Sequence, residues 1–204
     1  MSRLLLLRHA AHDLAGRALA GRLPALGLNE AGRRQAQALA GALARRGIAA
    51  VYSSPQQRTR DTARPIAQLL GLRVEDLPAF DEIDFGEWTG REFTWLQVHD
   101  SARWQQWCMQ RSEAVPPGGE PFRAAAARAM RGLQHLSSAH PAQTVLVVSH
   151  ADIIKATVAG CLGLSLDRLE SFELSCGGLC EIEAGPGEMR VLRINEDPLA
   201  AARA

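Results

Sequence analysis

The sequence has little of several features that mark particular classes of protein. Its 23 basic and 22 acidic residues leave a net charge of +1, so there is no broad field to attract nucleic acid or an anionic membrane surface. No stretch approaches the ~20 apolar residues of a transmembrane helix. The apolar run Leu4–Leu7 stops at Arg8, short of the roughly 7 to 15 residues of a secretory signal. We therefore expect a soluble, cytoplasmic protein that binds neither nucleic acid nor membrane.

Cysteine is also scarce, and its spacing excludes two common kinds of site. Cys108, Cys161, Cys176 and Cys180 show neither the C-x-x-C redox spacing nor the paired spacing of zinc ligands. We interpret them as reduced core thiols and expect no structural metal. A chain of 204 residues can bury a large core without such staples, and we expect a single domain over residues 1–204.

The sequence does contain an alternation of strand-like and helix-like segments. Short apolar runs at Leu4–Leu7, at Ala49–Tyr52 and at Thr144–Ser149 predict buried strands. Periodic segments between them predict helices over 29–46, over 55–70, through much of 91–139 and over 152–162, with further strands around residues 176–178. This alternation is typical of an α/β fold with a mostly parallel sheet covered on both faces.

The helix boundaries carry more specific expectations. Asn29 is the expected cap of the first helix, which Gly47 should stop. Its buried face should hold Ala31, Ala38, Leu39, Ala42 and Leu43. Ser54 and Pro55 are expected to cap and begin the second helix, and Gly71 to end it.

Two predicted strands end in the same way, each with a histidine. Arg8-His9 follows the first strand and Ser149-His150 follows the strand at Thr144. Because ligands of open α/β sheets bind outside the carboxyl ends of the strands, these residues are expected to meet in one cleft.

Two further segments fit the same cleft. Arg58 lies in the first turn of the second predicted helix, where unpaired N–H groups and the helix dipole favour an anion. Its planar guanidinium can hold two phosphate oxygens at once. The segment Asp81–Gly90 is a carboxylate cluster with two glycines and two aromatic residues, too irregular for regular secondary structure.

Two arginines and two histidines around one carboxylic acid suit phosphoryl transfer through a phosphohistidine. Fixed cations stabilise the charge on the equatorial oxygens without a metal. Neutral His9 is the expected nucleophile, because an unperturbed imidazole is largely neutral at physiological pH. Glu82 is the expected acid for the leaving group, because Asp81 and Asp84 should repel its charged form.

These segments together resemble branch 1 of the histidine phosphatase superfamily, the phosphoglycerate mutase-like group. The family pattern Arg-His is similar to Arg8-His9, and its late Ser-His to Ser149-His150. Ser-Ser-Pro-x-x-Arg with Thr-Ala is similar to 53–63, and Glu-x-x-x-Gly-x-Trp-x-Gly to 82–90. Segments 28–36 and 117–120 match two further family patterns, so the resemblance extends from residue 3 to about residue 160.

The resemblance implies a three-layer α/β/α sandwich without metal or organic cofactor, acting on a small phosphorylated substrate. His9 would be phosphorylated, and Glu82 would act as acid and then as base for water. Arg8, Arg58 and His150 would hold the phosphoryl group. Apart from the resemblance, we expect a helical lid region over about 91–140, of which the block from Arg91 to Phe122 should cover the cleft and set the substrate.

The sequence departs from the family pattern at a few positions. Ala10 and Ala151 stand where the family usually has glycine after each histidine, which predicts altered affinity. Mutase members carry an Asn near the position of Ala15 and a paired Arg-Arg in the lid, whereas this lid offers isolated Arg103 and Arg111. Hydrolysis is therefore favoured over a cofactor-dependent phosphoglycerate mutase. A non-catalytic phosphate-binding regulatory protein on the same fold is the other alternative.

Several further residues have plainer interpretations. His12 forms an H-x-x-H pair with His9, for which metal binding is the weaker interpretation. Trp104 and Trp107 are expected to pack their helix onto the body rather than stack on substrate. Arg17 and Arg22, near the cleft, are expected to be solvated charges, and His99, His135 and His140 solvated imidazoles.

Overall fold

A computed structural model of the chain describes residues 1–200, which form one six-stranded sheet flanked by helices. The strands are β1 (Ser2–Arg8), β2 (Ile48–Ser53), β3 (Val74–Asp76), β4 (Thr144–Ser149), β5 (Leu179–Gly185) and β6 (Glu188–Glu196). The α-helices are α1 (Glu30–Leu43), α2 (Gln57–Leu70), α3 (Phe93–His99), α4 (Ser101–Met109), α5 (Phe122–Ala139) and α6 (Ala151–Leu162). Short 3-10 helices cover Pro78–Phe80, Gly86–Trp88, Arg111–Glu113 and Leu166–Ser171.

The strand order is β3-β2-β4-β1-β5-β6, and the sheet is mixed. The pairs β2·β3, β2·β4 and β1·β4 are parallel, whereas β5 and β6 add an antiparallel edge next to β1. The predicted α/β fold with a mostly parallel sheet is therefore confirmed, with two antiparallel strands at one side.

The side chains of β1 alternate between two hydrophobic cores, one on each face of the sheet. Leu4 and Leu6 belong to a cluster that contains the buried residues of α5 and α6. Leu5 and Leu7 belong to a second cluster with residues of α1 and α2. This arrangement of three layers explains why the central residues of β1 and β4 are apolar without alternation: both faces of these strands are covered.

The first helix is shorter than predicted, and its buried face is rotated. Asn29 caps α1 by accepting a hydrogen bond from the backbone N–H of Gly32, as expected, but the helix ends at Leu43 rather than near Arg46. Ala31 and Ala38 are exposed, contrary to the prediction. The residues that are buried instead are Gly32, Ala36, Leu39, Ala40 and Leu43.

The predicted cap of the second helix is wrong. Pro55 lies outside α2, which begins at Gln57 without a side-chain cap, because the Ser54 hydroxyl bonds to site residues described below. The predicted end at Gly71 is correct, since Gly71 has φ +68° and its N–H bonds to the last turn of the helix.

The region over 91–140 is helical, as predicted, with a loop at Val115–Gly119 between α4 and α5. Trp107 of α4 lies in the same core cluster as Leu4 and Leu6 of the sheet.

The four cysteines are free, but only Cys180 is fully buried and Cys108 is exposed, so the expectation of four core thiols is wrong. Residues 201–204 of the predicted domain lie outside the described residues. Within residues 1–200, no helix has the length and apolarity needed to cross a membrane.

Candidate active site

The two histidines are brought together by the parallel pairing of β1 with β4. Arg8 is paired with Ser149, and the N–H of His9 donates to the Ser149 carbonyl at 2.9 Å. His9 and His150 therefore leave adjacent strands at the same edge, and their ring centroids are 5.4 Å apart. The expected convergence of residues 141 positions apart in the chain is what the sheet produces.

His9 is buried, with one ring nitrogen fixed by the backbone. Its Nδ1 lies 2.8 Å from the Ala10 carbonyl oxygen, and because a carbonyl can only accept, Nδ1 must carry the proton. Neutral His9 then presents Nε2 as a bare lone pair. Burial, and next the charges of Arg58 and Arg8, hold the pKa of His9 well below its usual value, so the neutral form prevails at pH 7.

The loop after His9 is held by the first turns of α1. A Cβ on Gly32 would lie 2.0 Å from the Ala11 carbonyl oxygen, so only glycine allows this approach. Gln35 accepts from the Ala11 N–H and donates to the Cys176 carbonyl. These contacts account physically for much of the segment 28–36 that the family resemblance singled out.

Arg58 and Arg8 present hydrogen-bond donors that have nothing to bind within residues 1–200. Arg58 is fully buried, and its Nη2 donates to the Gly21 carbonyl and to Nδ1 of His150. Nε and Nη1 of Arg58 and Nε of Arg8 are buried without a partner among the described residues. Because unpaired buried donors are costly, these three N–H-bearing atoms are suited to an anion with several oxygens.

His150 stands in a chain of hydrogen bonds that sets its protonation. Arg58 can only donate, so Nδ1 of His150 accepts from it at 3.0 Å and is unprotonated. Nε2 then donates to the Ser54 hydroxyl at 2.8 Å, and that hydroxyl donates to Asp81 at 3.1 Å. Burial, followed by the charge of Arg58, keeps the pKa of His150 well below its usual value. In this arrangement His150 orients Arg58.

Glu82 is buried beside the same groups. Its Oε2 is 3.6 Å from Nδ1 of His150 and 4.0 Å from Nη2 of Arg58. The pKa of Glu82 is raised to about 7, chiefly by burial and next by the charge of Asp152. Arg58 and the N–H of Ile83 oppose this rise. Glu82 is thus near the midpoint of its titration at neutral pH.

The expected cause of that rise was partly wrong. Asp81 raises the pKa of Glu82 only as the smallest of the resolved causes, and Asp84 is not among them. Asp152, which is distant in sequence, is the carboxylate that matters most. Its position two residues after His150, in the first turn of α6, is the signal that could have identified it.

The loop that carries Glu82 is fitted against the loop before α5. A Cβ on Gly86 would lie 2.2 Å from the Pro117 carbonyl oxygen, and one on Gly119 would lie 2.4 Å from the Asp84 carbonyl oxygen. The N–H of Glu87 donates to Pro117 at 2.9 Å across the same junction. The two family segments at 82–90 and 117–120 are therefore two sides of one contact.

Arg22 is part of this support, which corrects the expectation that it is solvated. Its guanidinium donates to the Glu82 carbonyl at 2.8 Å and to Glu120 at 3.0 Å. Arg128 of α5 donates to the same two residues. The Glu82 carbonyl is held by two arginines that Glu120 bridges. Arg17, by contrast, is exposed, as expected.

The site opens into a cleft of about 380 Å³. Its lining combines apolar and aromatic side chains with charged ones: Leu19, Phe85, Phe93, Trp104 and Trp107, together with Arg111, Asp152 and Glu170. The Arg111 guanidinium lies over the Trp107 ring, 5.2 Å from its centroid. Trp107 packs in the core, as predicted, and also lines the cleft. Arg111 was seen in the sequence only as an isolated lid arginine, and its pairing with Asp152 depends on packing that sequence does not reveal.

His12 belongs to the site rather than to the solvent-facing surface. It is buried, its ring centroid is 4.9 Å from that of His9, and its Nδ1 accepts from the Leu14 N–H. Burial, then the charges of Arg58 and Arg8, lower the pKa of His12 to about 4. Within residues 1–200, no cluster of three His, Cys, Asp or Glu side chains is arranged to hold a metal ion.

Of the other histidines, His99 and His135 are exposed, as expected. His140 is half-buried and hydrogen-bonded to the Tyr52 hydroxyl at 2.9 Å, so its predicted solvation is wrong. None of these three histidines lines the cleft.

Among known proteins, the chain is similar to a bifunctional protein of Mycobacterium tuberculosis, with 43% identity over 155 residues. That alignment covers 76% of this chain but 42% of the relative, so the chain spans less than half the length of the mycobacterial proteins it matches. It is 32% identical over 175 residues to phosphoserine phosphatase 1 of Hydrogenobacter thermophilus, covering 84% of this chain and 82% of that one.

The fold is also similar to the folds of solved structures. The alpha-ribazole phosphatase of Shigella flexneri superposes with a TM-score of 0.85 at 27% identity, covering 96% of each chain. A family model for the histidine phosphatase superfamily (branch 1) matches residues 4–197, nearly the whole sequence. The chain belongs to the histidine phosphatase superfamily, branch 1.

Proposed function

We propose that this chain is a phosphomonoesterase that acts through a phosphohistidine at His9 and needs no metal ion. The observation that carries the proposal is the set of unpaired donors on Arg8 and Arg58 beside the bare Nε2 of His9. A phosphoryl dianion satisfies those donors and brings phosphorus to the nucleophile. Membership in the family and relatives named as phosphatases of small phosphorylated molecules support the same conclusion.

In the first step, Nε2 of His9 attacks phosphorus while the ester P–O bond breaks. Arg8 and Arg58 stabilise the charge on the three equatorial oxygens, which is the main demand of phosphoryl transfer. Glu82, whose raised pKa lets it carry a proton near neutral pH, gives that proton to the departing alkoxide. The products of this step are a free alcohol, a phosphohistidine at His9 and an ionised Glu82.

In the second step, water enters and attacks the phosphohistidine. Glu82 now accepts the proton of the attacking water, so the P–N bond breaks and inorganic phosphate leaves. His9 returns to its neutral form with Nδ1 still donating to Ala10. His150 orients Arg58 in both steps, and the proposed contact of His150 with the bound phosphoryl group would require one of its two hydrogen bonds, to Arg58 or to Ser54, to be exchanged.

The alternatives differ in what accepts the phosphate. A mutase would return it to a phosphoglycerate, and a regulatory protein would bind it without turnover. The complete set of His9, Glu82 and arginine donors supports catalysis, and the lid sequence has no two adjacent arginines to hold a second acidic group. We also propose a cytoplasmic location, which the four free cysteines support.

The test is hydrolysis of p-nitrophenyl phosphate in excess EDTA, together with detection of the phosphoenzyme by intact-mass spectrometry after acid-free quenching. The native chain is expected to turn over and to carry one phosphoryl group, whereas His9→Ala shows neither. His135→Ala, which changes an exposed histidine of α5, is the matched control and is expected to keep full activity.

Three results would contradict the proposal in distinct ways. Activity that survives His9→Ala would assign the nucleophile elsewhere, and activity lost in EDTA but restored by a metal would overturn metal independence. Rapid 3-to-2 isomerisation of phosphoglycerate primed by bisphosphoglycerate, with little release of phosphate, would establish the mutase.

A further inference from the structure

The cleft beyond the phosphoryl site has one wall suited to a flat apolar group. Phe85 and Trp107 are almost fully buried beneath it, and Phe93 and Trp104 are partly exposed in it and stack on each other at 5.5 Å. Aromatic side chains hold ring systems by stacking and edge contacts, without any charge on the ligand. The part of a substrate that leaves with its oxygen would lie along this wall.

The charged side chains that line the same cleft beside these rings are already paired, and Lys155, just outside the cleft, completes the group. Arg111 donates to Asp152 at 2.6 Å and pairs with Glu170 at 2.9 Å, and Lys155 pairs with Glu170 at 3.3 Å. Two cations and two anions thus leave this cluster without net charge. A further anion would have to displace a carboxylate that Arg111 already holds, at a cost in desolvation.

The remaining basic groups of the cleft are not free to bind a second anion either. Arg8 faces the phosphoryl group, and His12 is neutral at pH 7 because its pKa is about 4. Nε of Arg111 has no partner among residues 1–200, but a carboxylate binds guanidinium best through two parallel N–H groups. A single N–H suits a hydroxyl or a ring nitrogen.

From these contacts, and resting on the proposed function, we infer that the cleft selects phosphate monoesters of uncharged alcohols that carry a ring, such as a nucleoside or arylalkyl alcohol. Esters whose alcohol bears a carboxylate or a second phosphate are disfavoured, because Asp152 and Glu170 occupy Arg111. The specificity therefore has two sources. The aromatic wall attracts the ring of the substrate, and Arg111, which is already paired with Asp152 and Glu170, does not accept a further anion.

The test compares three esters with primary alkyl leaving groups, so that the chemical step is matched: 2-phenylethyl, propyl and 2-carboxyethyl phosphate. We expect kcat/KM to fall in that order, with about a tenfold or larger difference between the first and the last, as burial of part of a ring predicts. Calorimetric binding of the same three esters to His9→Ala gives the preference without turnover.

Two variants test the aromatic residues and the pairing of Arg111 separately, and ratios between substrates cancel any loss of folded protein. Trp104→Ala is expected to lower the ratio of 2-phenylethyl to propyl ester, mainly through KM. Glu170→Gln, at a largely exposed side chain, releases part of Arg111 and should raise the ratio of 2-carboxyethyl to propyl ester several-fold. Glu188→Gln makes the same charge change on the distant β6 and should leave both ratios unchanged.

The outcomes separate this inference from the proposed function. Equal or stronger hydrolysis and binding of the 2-carboxyethyl ester would overturn the inference while the phosphatase proposal stands. Absence of turnover for all three, with the ring ester still bound most tightly, would contradict the phosphatase proposal and leave the ligand class supported. Unchanged substrate ratios in both Trp104→Ala and Glu170→Gln would overturn the inference, because other residues would then set the preference.

Discussion

At the scale of single residues, Glu82 is the group on which the proposed chemistry depends most directly. Glu82→Gln keeps the size of the side chain but removes the proton that the leaving alcohol needs. We expect kcat for an alkyl phosphate such as propyl phosphate to fall by about 10² or more, the usual contribution of a general acid. The p-nitrophenyl ester should lose less in this step, because its leaving group needs little protonation. Steady-state kinetics on both esters measures the difference, and equal losses would contradict the acid role.

The environment of Glu82 also predicts a pH dependence. Because its pKa is raised to about 7, the protonated acid is lost as pH rises through that value, so kcat/KM for an alkyl phosphate should fall above about pH 7. Asp152→Asn removes a charge that raises this pKa, so the falling limb should move to lower pH. His9 and His150 stay neutral through this range, because the pKa of each is lowered.

The substrate itself titrates near pH 6, so native chain and variant are compared on the same ester. Glu173→Gln, at an exposed carboxylate that lines a neighbouring pocket together with Asp152, is the matched control for the change of charge. A limb that moves equally in both variants would reflect general electrostatics rather than Asp152.

Individual site residues differ in how far sequence could predict them. His9, His150 and Arg58 could be named because each directly follows a strand or begins a helix, and parallel strands end at one edge. Asp152, Arg111 and Arg22 act through contacts between segments that are far apart in sequence. Their partners depend on the packing of the lid and of α6, so a list of charges along the chain could not pair them.

At the scale of elements, α1 offers a matched pair of glycines. Gly32 touches the loop after His9, where a Cβ would be 2.0 Å from the Ala11 carbonyl oxygen, whereas a Cβ on Gly41 would meet nothing within 4 Å. Gly41→Ala is expected to stabilise the chain by about 0.5–1 kcal/mol through helix propensity alone. Gly32→Ala should destabilise it by about 1–3 kcal/mol, because backbone has to move.

The same pair separates stability from activity. Gly32→Ala displaces the loop that carries the Nδ1 acceptor of His9, so kcat/KM should fall as well, while Gly41→Ala keeps it. Urea denaturation and steady-state kinetics on both variants provide the measurement. Similar behaviour of the two variants would show that α1 does not position the nucleophile.

Elements were predicted with uneven success, for physical reasons. The helix end at Gly71 follows from the left-handed conformation that glycine adopts easily, and it is as expected. The predicted start of α2 was wrong because the Ser54 hydroxyl, besides accepting from the Gln56 N–H, joins the chain from His150 to Asp81, and this second role depends on tertiary contacts. The buried face of α1 differs from the predicted one for a similar reason. It includes Gly32, whose close approach to Ala11 is a tertiary contact.

At the scale of the whole molecule, the site collects residues from β1, α2, the 82–90 loop, β4 and the lid. No single segment forms the site, because contacts between segments that are distant in sequence position the donors of Arg58 and the acid Glu82. The balanced net charge of +1 means that the cationic surroundings of the phosphoryl group are local and built by burial.

The prediction of a single domain, with the lid as part of it, can be tested by unfolding. Three of the four tryptophans lie in the lid and Trp88 lies just before it, so their fluorescence reports mainly the lid region, whereas far-UV circular dichroism reports the sheet and all helices. Trp107 shares one core cluster with Leu4 and Leu6 of β1, which favours cooperative unfolding. We expect the two signals and the loss of activity to have the same urea midpoint. A fluorescence transition at lower urea than the dichroism transition would mean that the lid unfolds first.

Vanadate tests the same cooperativity through a ligand. By the proposed function it binds between Arg8, Arg58 and His9, so it should raise the midpoints of both signals together, because the ligand binds only when the strands, α2 and the lid are assembled.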